Sequence, residues 1–236
     1  YVCLTNEVMS KYVEKMAGKR MDKQLRVLHH GVDTDFFQPV KKNSLLLDKF
    51  NFSIDDKIIV FVGTIYTFSG LDVLLKAFPD LKKQIPRLKF IIVGGGDLEP
   101  ELKNLVNNLF LEKEVILTGF RSYEEVPNLI SCADVTVLPF FINDVTRDII
   151  PIKVLQYLAC KKPVVAAPLP DLMRMFPEKQ SGIIYQAIEN GPEFIAQLRK
   201  ILIDNEFCNE LSENAYQYIQ QNFKIDLQIN KLEKLL

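Results

Sequence analysis

The chain lacks an excess of either charge: 29 Lys and Arg stand against 30 Asp and Glu, a formal net charge of −1. A dedicated nucleic-acid binder normally carries a basic excess, so that partner class is set aside. No apolar run approaches the ~18 residues that a membrane span needs. Histidine is scarce, and the adjacent His29 and His30 have no Cys or further His at ligand spacing, so no metal site is expected. Cys3, Cys132, Cys160 and Cys208 are scattered. Cys132 and Cys160 lie in apolar helical contexts. Buried free thiols in a reducing compartment fit this pattern better than disulfides or metal ligation. No signal-peptide pattern is present, and no Gly-Lys-Ser/Thr follows a glycine-rich loop, which excludes a Walker site.

What the chain does have is enough apolar residue to bury a sizeable core. Its 236 residues are 48% hydrophobic, suited to one large domain or one domain plus appendages. Strand-like and helix-like segments alternate, the pattern of a parallel α/β sheet. The expected strands are 26–29, 57–62, 88–93, 115–118, 134–138, 163–167 and 182–185. The expected helices are 69–84, 98–109, 122–131, 151–160 and 192–204, with two more at 206–222 and 225–236. The near-continuous apolar strands call for helices on both sheet faces. Residues 31–39 read as a connecting segment. Tyr1-Val-Cys-Leu-Thr5 reads as a strand flush with the start, so a further N-terminal portion is expected.

Ligands in open α/β sheets bind beyond the C-terminal strand ends. Four loops qualify. In Gly63-Thr-Ile-Tyr-Thr-Phe-Ser-Gly70, glycines permit close approach to the backbone, and Thr64 and Ser69 offer donors; the alternative is a plain βα turn with Ser69 as N-cap. Gly94-Gly95-Gly96-Asp97 fails the dinucleotide spacing and reads as a flexible turn with Asp97 capping the next helix. In Gly119-Phe-Arg-Ser122, Phe120 and Arg121 are placed to flank a nucleotide base, while Ser122 and Glu125 form a capping box.

The fourth loop, 139–151, holds Asp144, Arg147 and Asp148 and leads into a helix expected to begin at Pro151. Free N–H groups and the positive helix end there suit an anion such as a diphosphate. Lys153 falls in the first turn, where a cation opposes the dipole, and is expected to be exposed; it implies an anionic ligand or a carboxylate partner. Gln156 lies on the same face and can bond ribose hydroxyls. The plainer alternative is a solvated face with a Lys153–Asp148 surface pair.

Several segments together resemble one family. They are His30-Gly-Val-Asp-Thr-Asp-Phe-Phe-Gln-Pro39, Phe61-Val-Gly-Thr64 with Ser69-Gly-Leu-Asp-Val-Leu-Leu75, and Phe90-Ile-Ile-Val-Gly-Gly-Gly-Asp97. Leu117-Thr-Gly-Phe120, Cys132-Ala-Asp134 and Pro151-Ile-Lys-Val-Leu-Gln-Tyr-Leu-Ala-Cys-Lys-Lys-Pro-Val-Val165 follow in order. The chain resembles the C-terminal, nucleotide-sugar-binding half of a GT-B retaining glycosyltransferase of the GT4 type (group 1). The resemblance implies a Rossmann-like parallel sheet with helices on both faces, one half of the GT-B fold. It implies a division into 1–24, the end of an N-terminal acceptor domain; 25–204, the nucleotide-sugar domain; and 205–236, helices packing back toward the acceptor domain.

The family's two glutamates, separated by seven residues, match Asp148 and Gln156 here. The first contacts the donor sugar, which makes Asp148 the catalytic candidate, and the second holds the ribose. The family's diphosphate-binding Arg and Lys match Thr64 and Ser69, with Arg147 and Lys153 available to replace their charge. The implied substrate-binding set is Gly63, Thr64, Ser69, Gly70, Phe120, Arg121, Arg147, Ile152, Lys153, Val154 and Gln156. The implied reaction transfers a sugar from a nucleoside diphosphate sugar to an acceptor hydroxyl with retention, without metal or other cofactor. A nucleotide-sugar epimerase of the same fold and a non-catalytic sugar-nucleotide binding module are the alternatives. The implied partners are the nucleotide sugar and the acceptor domain, with no nucleic acid. The implied location is cytoplasmic, with peripheral contact at the inner membrane face through the other half.

Overall fold

The first strand does not join the large sheet. In the computed structural model, which describes residues 2–5, 8–21 and 25–235, β1 (Val2–Leu4) pairs in parallel with β2 (Leu25–Val27) in a two-stranded sheet of their own. Helix α1 (Val8–Ala17) lies between them in sequence. The expected strand at 26–29 therefore belongs with the opening segment rather than with the alternating core. Leu25 and Arg26 are only half-buried and Val27 is exposed, too little apolar cover for a central strand. Tyr1 and Leu236, the outer ends of the first expected strand and the last expected helix, lie outside the described residues.

The continuous apolar runs build a six-stranded parallel sheet. After α2 (Ser44–Lys49) come β3 (Lys57–Val62), α3 (Leu71–Gln84), β4 (Leu88–Val93), α4 (Glu99–Asn108) and β5 (Val115–Leu117). Then follow α5 (Val126–Ser131), β6 (Val135–Leu138), α6 (Ile152–Ala159), β7 (Val164–Ala166), α7 (Pro170–Met175) and β8 (Ile183–Tyr185). The order across the sheet is β5-β4-β3-β6-β7-β8. Ile58 to Phe61, Phe90 to Ile92, Val135, Val137 and Leu138, and Val164 to Ala166 are all fully buried. Each large side chain of this kind contributes roughly 1.5–3 kcal/mol on burial. The helices supply that cover: α3 packs on α4 and α8 (Gly191–Ile203), and α6 packs on α9 (Asn205–Asn222).

Past α9 the chain returns toward its beginning. Val32 N–H donates to the Phe223 carbonyl at 2.9 Å, and Ile225 N–H donates to the Val32 carbonyl at 2.9 Å. Helix α10 (Ile225–Glu233) then lies against the ends of β1 and β2, lining with Leu4, Thr5, His29 and Gly31 an open pocket of about 350 Å³. The thiols follow expectation only in part. Cys132 and Cys160 are buried, but Cys208 is intermediate and Cys3 is exposed. Among the described residues no helix is long and apolar enough to cross a membrane.

Candidate functional site

Strands β4 and β5 lie on one side of β3, and β6, β7 and β8 on the other, so the winding reverses between β3 and β6. That reversal opens a crevice beyond the strand ends. The two strands are paired only at Ile59–Val135 and Val60–Thr136. Where they part, Tyr157 of α6 fills the gap. Its hydroxyl accepts the Val62 N–H at 2.7 Å and reaches the Val62 carbonyl at 3.3 Å. Burial pushes the phenol well above its ordinary pKa.

One turn earlier on the same helix, Lys153 points to Gly63, the residue just past β3. Its ammonium lies 4.4 Å from the centre of the Phe61 ring and 5.0 Å from that of Phe140, cation–π contacts on two walls. A Cβ on Gly63, whose φ is +138°, would run into that ammonium. No carboxylate pairs with Lys153 among the described residues, and burial alone lowers its pKa from 10.5 to about 7. This corrects the expectation of an exposed lysine and of a Lys153–Asp148 surface pair. The reason lies in α6, where Val154, Leu155, Tyr157, Leu158 and Ala159 are all buried, so the long lysine stem follows them inward. Lys153 as a whole residue is half-buried.

The flanking loops hold each other. Phe141 N–H donates to the Phe68 carbonyl at 2.8 Å, and the Phe68 and Phe140 rings meet edge-on at 5.3 Å. Gly70, at φ +63°, caps α3, and a Cβ there would strike the Pro139 carbonyl. Gly70 is therefore needed for loop contact. Ser69 departs from both expected roles. It ends a short 3-10 turn, is fully buried, and gives both its hydroxyl and its N–H to the Tyr66 carbonyl. No donor of Ser69 remains for a ligand. Thr64 is half-buried beside Gly63.

A strip of close backbone contacts leads away from Lys153. A Cβ on Gly94 would strike the Gly63 carbonyl, and one on Gly95 would come within 2.7 Å of the Phe120 ring and 2.8 Å of a Glu99 carboxylate oxygen. Phe120 is 74% exposed, its ring lying beside Gly95. Arg121 sits 3.8 Å from Glu125. The Ser122–Glu125 capping box is present, with Ser122 N–H donating to Glu125 at 3.1 Å, but it opens a 3-10 turn ahead of α5. Asp97 does not cap α4. Leu98 holds that position, its N–H 3.3 Å from the Ile65 carbonyl, because this loop is tied to the loop after β3 instead.

The loop before α6 is organised by two residues that the sequence analysis passed over. The Asn143 side-chain oxygen accepts the N–H groups of Val145 at 2.8 Å and Thr146 at 3.0 Å. The buried Thr146 hydroxyl donates to the Phe141 carbonyl at 2.6 Å and accepts Asn143 N–H at 2.9 Å. An Asn-x-x-Thr spacing in a polar loop is the signal that marks such a turn. Arg147 is exposed, 3.4 Å from Asp144. Asp148 is half-buried and accepts the Tyr12 hydroxyl of α1 at 3.0 Å. Pro151 is extended and takes the N-cap place, one residue before the helix rather than within its first turn. Val154 contributes packing only: its side chain is fully buried and its N–H closes on the Pro151 carbonyl at 3.0 Å. Ile152 and Lys153, first and second in α6, carry N–H groups without an intrahelical partner. Ile152 is 48% exposed and Gln156 half-buried.

Comparison with known proteins bears on this arrangement. Residues 45–218 match the family described as Glycosyl transferases group 1. The alpha-D-kanosaminyltransferase of Streptomyces kanamyceticus is 27% identical over 165 residues, which is 70% of this chain and 41% of that protein. A GDP-mannose-dependent mannosyltransferase of Mycolicibacterium smegmatis that acts on phosphatidylinositol monomannoside is 30% identical over 145 residues, 60% of this chain and 38% of that protein. The chain thus spans well under two thirds of these relatives. Among solved structures, Anabaena Alr3699/HepE in complex with UDP superposes with a TM-score of 0.83 at 18% identity, covering 99% of this chain and 62% of that one. The likeness is one of fold: a Rossmann-like half of a GT-B architecture. With the match extending from α2 to α9, the chain belongs to the group 1 glycosyl transferases.

Proposed function

We propose that this chain is the donor-binding part of a retaining glycosyltransferase, which moves a sugar from a nucleoside diphosphate sugar to an acceptor hydroxyl. One observation carries the reading: a lysine ammonium without a carboxylate, set against Gly63 at the crevice between β3 and β6. A buried cation without a counterion is costly, and an arriving diphosphate would supply the missing charge. The unpaired N–H groups at the start of α6 point to the same ligand. The strip from Gly63 through Gly94 and Gly95 to Phe120 suits an elongated molecule, with the diphosphate at Lys153 and the base stacked on Phe120. Gln156 is assigned to the ribose and Asp148 to the sugar. Arg147 supplies a second cation at the loop. The leaving diphosphate is stabilised by groups already in place. The acceptor is assigned to the remainder of a longer protein, as is any contact with a membrane.

Calorimetric titration of this chain with UDP and GDP tests the reading. Binding should occur with at least one of them. Lys153→Met, which keeps the stem and removes the charge, should weaken it more than about tenfold, or 1.4 kcal/mol. Thermal unfolding should show the variant no less stable than the parent. Equal affinity in a folded variant would take Lys153 out of the site.

A further inference from the structure

Helix α1 touches the proposed site directly. The Tyr12 hydroxyl donates to Asp148 Oδ2 at 3.0 Å, across 136 positions of sequence. Asp144 and Arg147 of the same turn also act electrostatically on that phenol. The contact presses the tyrosine proton onto the oxygen and raises its pKa. Met9, Tyr12 and Met16 are spaced along one side of α1 and are 44%, 56% and 89% exposed. Only Tyr12 among them offers a hydroxyl. We infer that Tyr12 is a positioning residue, which orients the Asp148 carboxylate for the sugar of the donor.

The inference rests on the assignment of Asp148 to the sugar made above. Asp148 lies on a loop, and the Tyr12 hydroxyl holds one of its two carboxylate oxygens. A fixed partner reduces the ordering needed when the sugar arrives. Two carboxylate oxygens have about four acceptor sites, so a tyrosine and a sugar hydroxyl can share one group. The diphosphate and base do not touch Asp148 in this scheme. Tyr12 should therefore affect recognition of the sugar and leave the nucleotide alone.

The experiment compares Tyr12→Phe with the parent chain, using UDP, UDP-glucose, GDP and GDP-mannose as probes. Calorimetry gives the affinity ratio of each sugar nucleotide to its parent diphosphate. Tyr12→Phe should lower that ratio about three- to tenfold, the upper end being 1.4 kcal/mol, with the diphosphate affinity itself unchanged. The loss should vanish in an Asp148→Ala background, which removes the acceptor, because the two side chains act as one unit. An unchanged ratio, or a raised one, would overturn the positioning role while leaving the diphosphate site intact. Binding of none of the four probes would instead overturn the reading of the site, and the inference with it. A merely structural role for Tyr12 would lower both affinities together and lower the unfolding temperature, which also counts against the inference.

Discussion

The Tyr157 hydroxyl takes the Val62 N–H at 2.7 Å on the side of β3 that β6 has just left. At the other end of the same edge, the Asp134 carboxylate takes the Ile58 N–H at 2.7 Å and binds Lys42 at 2.6 Å. Side chains thus complete β3 where the neighbouring strand cannot. The first of these bonds also fixes α6, and with it Lys153, against the end of the strand. A crevice that would otherwise hold unpaired backbone becomes a wall.

Replacing that phenol should therefore loosen the wall. Tyr157→Phe leaves the buried Val62 N–H without a partner, at a cost of ~1–3 kcal/mol. Urea unfolding should show a lower midpoint with an unaltered slope. Nucleotide affinity should fall less than it does in Lys153→Met, because the ammonium remains. A midpoint equal to the parent's would mean that Val62 finds another acceptor.

Gly63→Ala should damage the proposed site more than it damages the fold. Its φ of +138° strains any side chain, and the new Cβ meets the Lys153 ammonium. Backbone strain of this type costs ~1–3 kcal/mol. Displacement of the cation should add a loss of diphosphate affinity exceeding about tenfold. Gly18→Ala is the comparison, since Gly18 has φ +64° and no atom of the described residues within 4 Å of an added Cβ. It should lose some stability and keep the affinity. Equal affinities in both variants would separate Gly63 from the ligand.

Lys153 predicts how binding responds to pH. In the free chain its pKa is lowered to about 7, so above that pH the Lys153 amine becomes neutral. A bound diphosphate favours the charged form and raises the pKa again. Binding between about pH 7 and the lysine's ordinary 10.5 must then take up a proton, and affinity must fall as pH rises. Titrations at pH 8 in buffers of different ionisation heat should report uptake approaching about one proton per site. Lys153→Met should abolish it. Uptake of no proton by the parent would show that Lys153 is already charged when the ligand arrives.

Most of the sheet was legible from pattern alone. Strands such as 57–62 and 88–93 are long, apolar and bounded, so periodicity and length agree. The helices α2 and α7 were not, because six residues each give too short a period to read. The separate pairing of β1 with β2 depends on which strand finds which partner, a tertiary matter that local sequence does not encode. At the site, the position of Lys153 in the first turn was readable, but its direction was not. A lysine stem can lie outward or follow its apolar neighbours inward, and here Tyr157 and Val154 decide. Ser69 reads as a donor by residue type, yet its own turn consumes it through Tyr66. Tyr12 was invisible as a partner of Asp148, since no spacing rule links residues so distant in the chain.

The tie between Phe141 and Phe68, with Gly70 wedged under Pro139, has a mechanical consequence. A rim tied at two places resists opening and shutting by itself. Entry of a small molecule should then be a single kinetic phase, limited by diffusion and access. Any slower closing step over the ligand has to be delivered by a body outside this rim, and its speed would be set at that joint rather than within the loops described here.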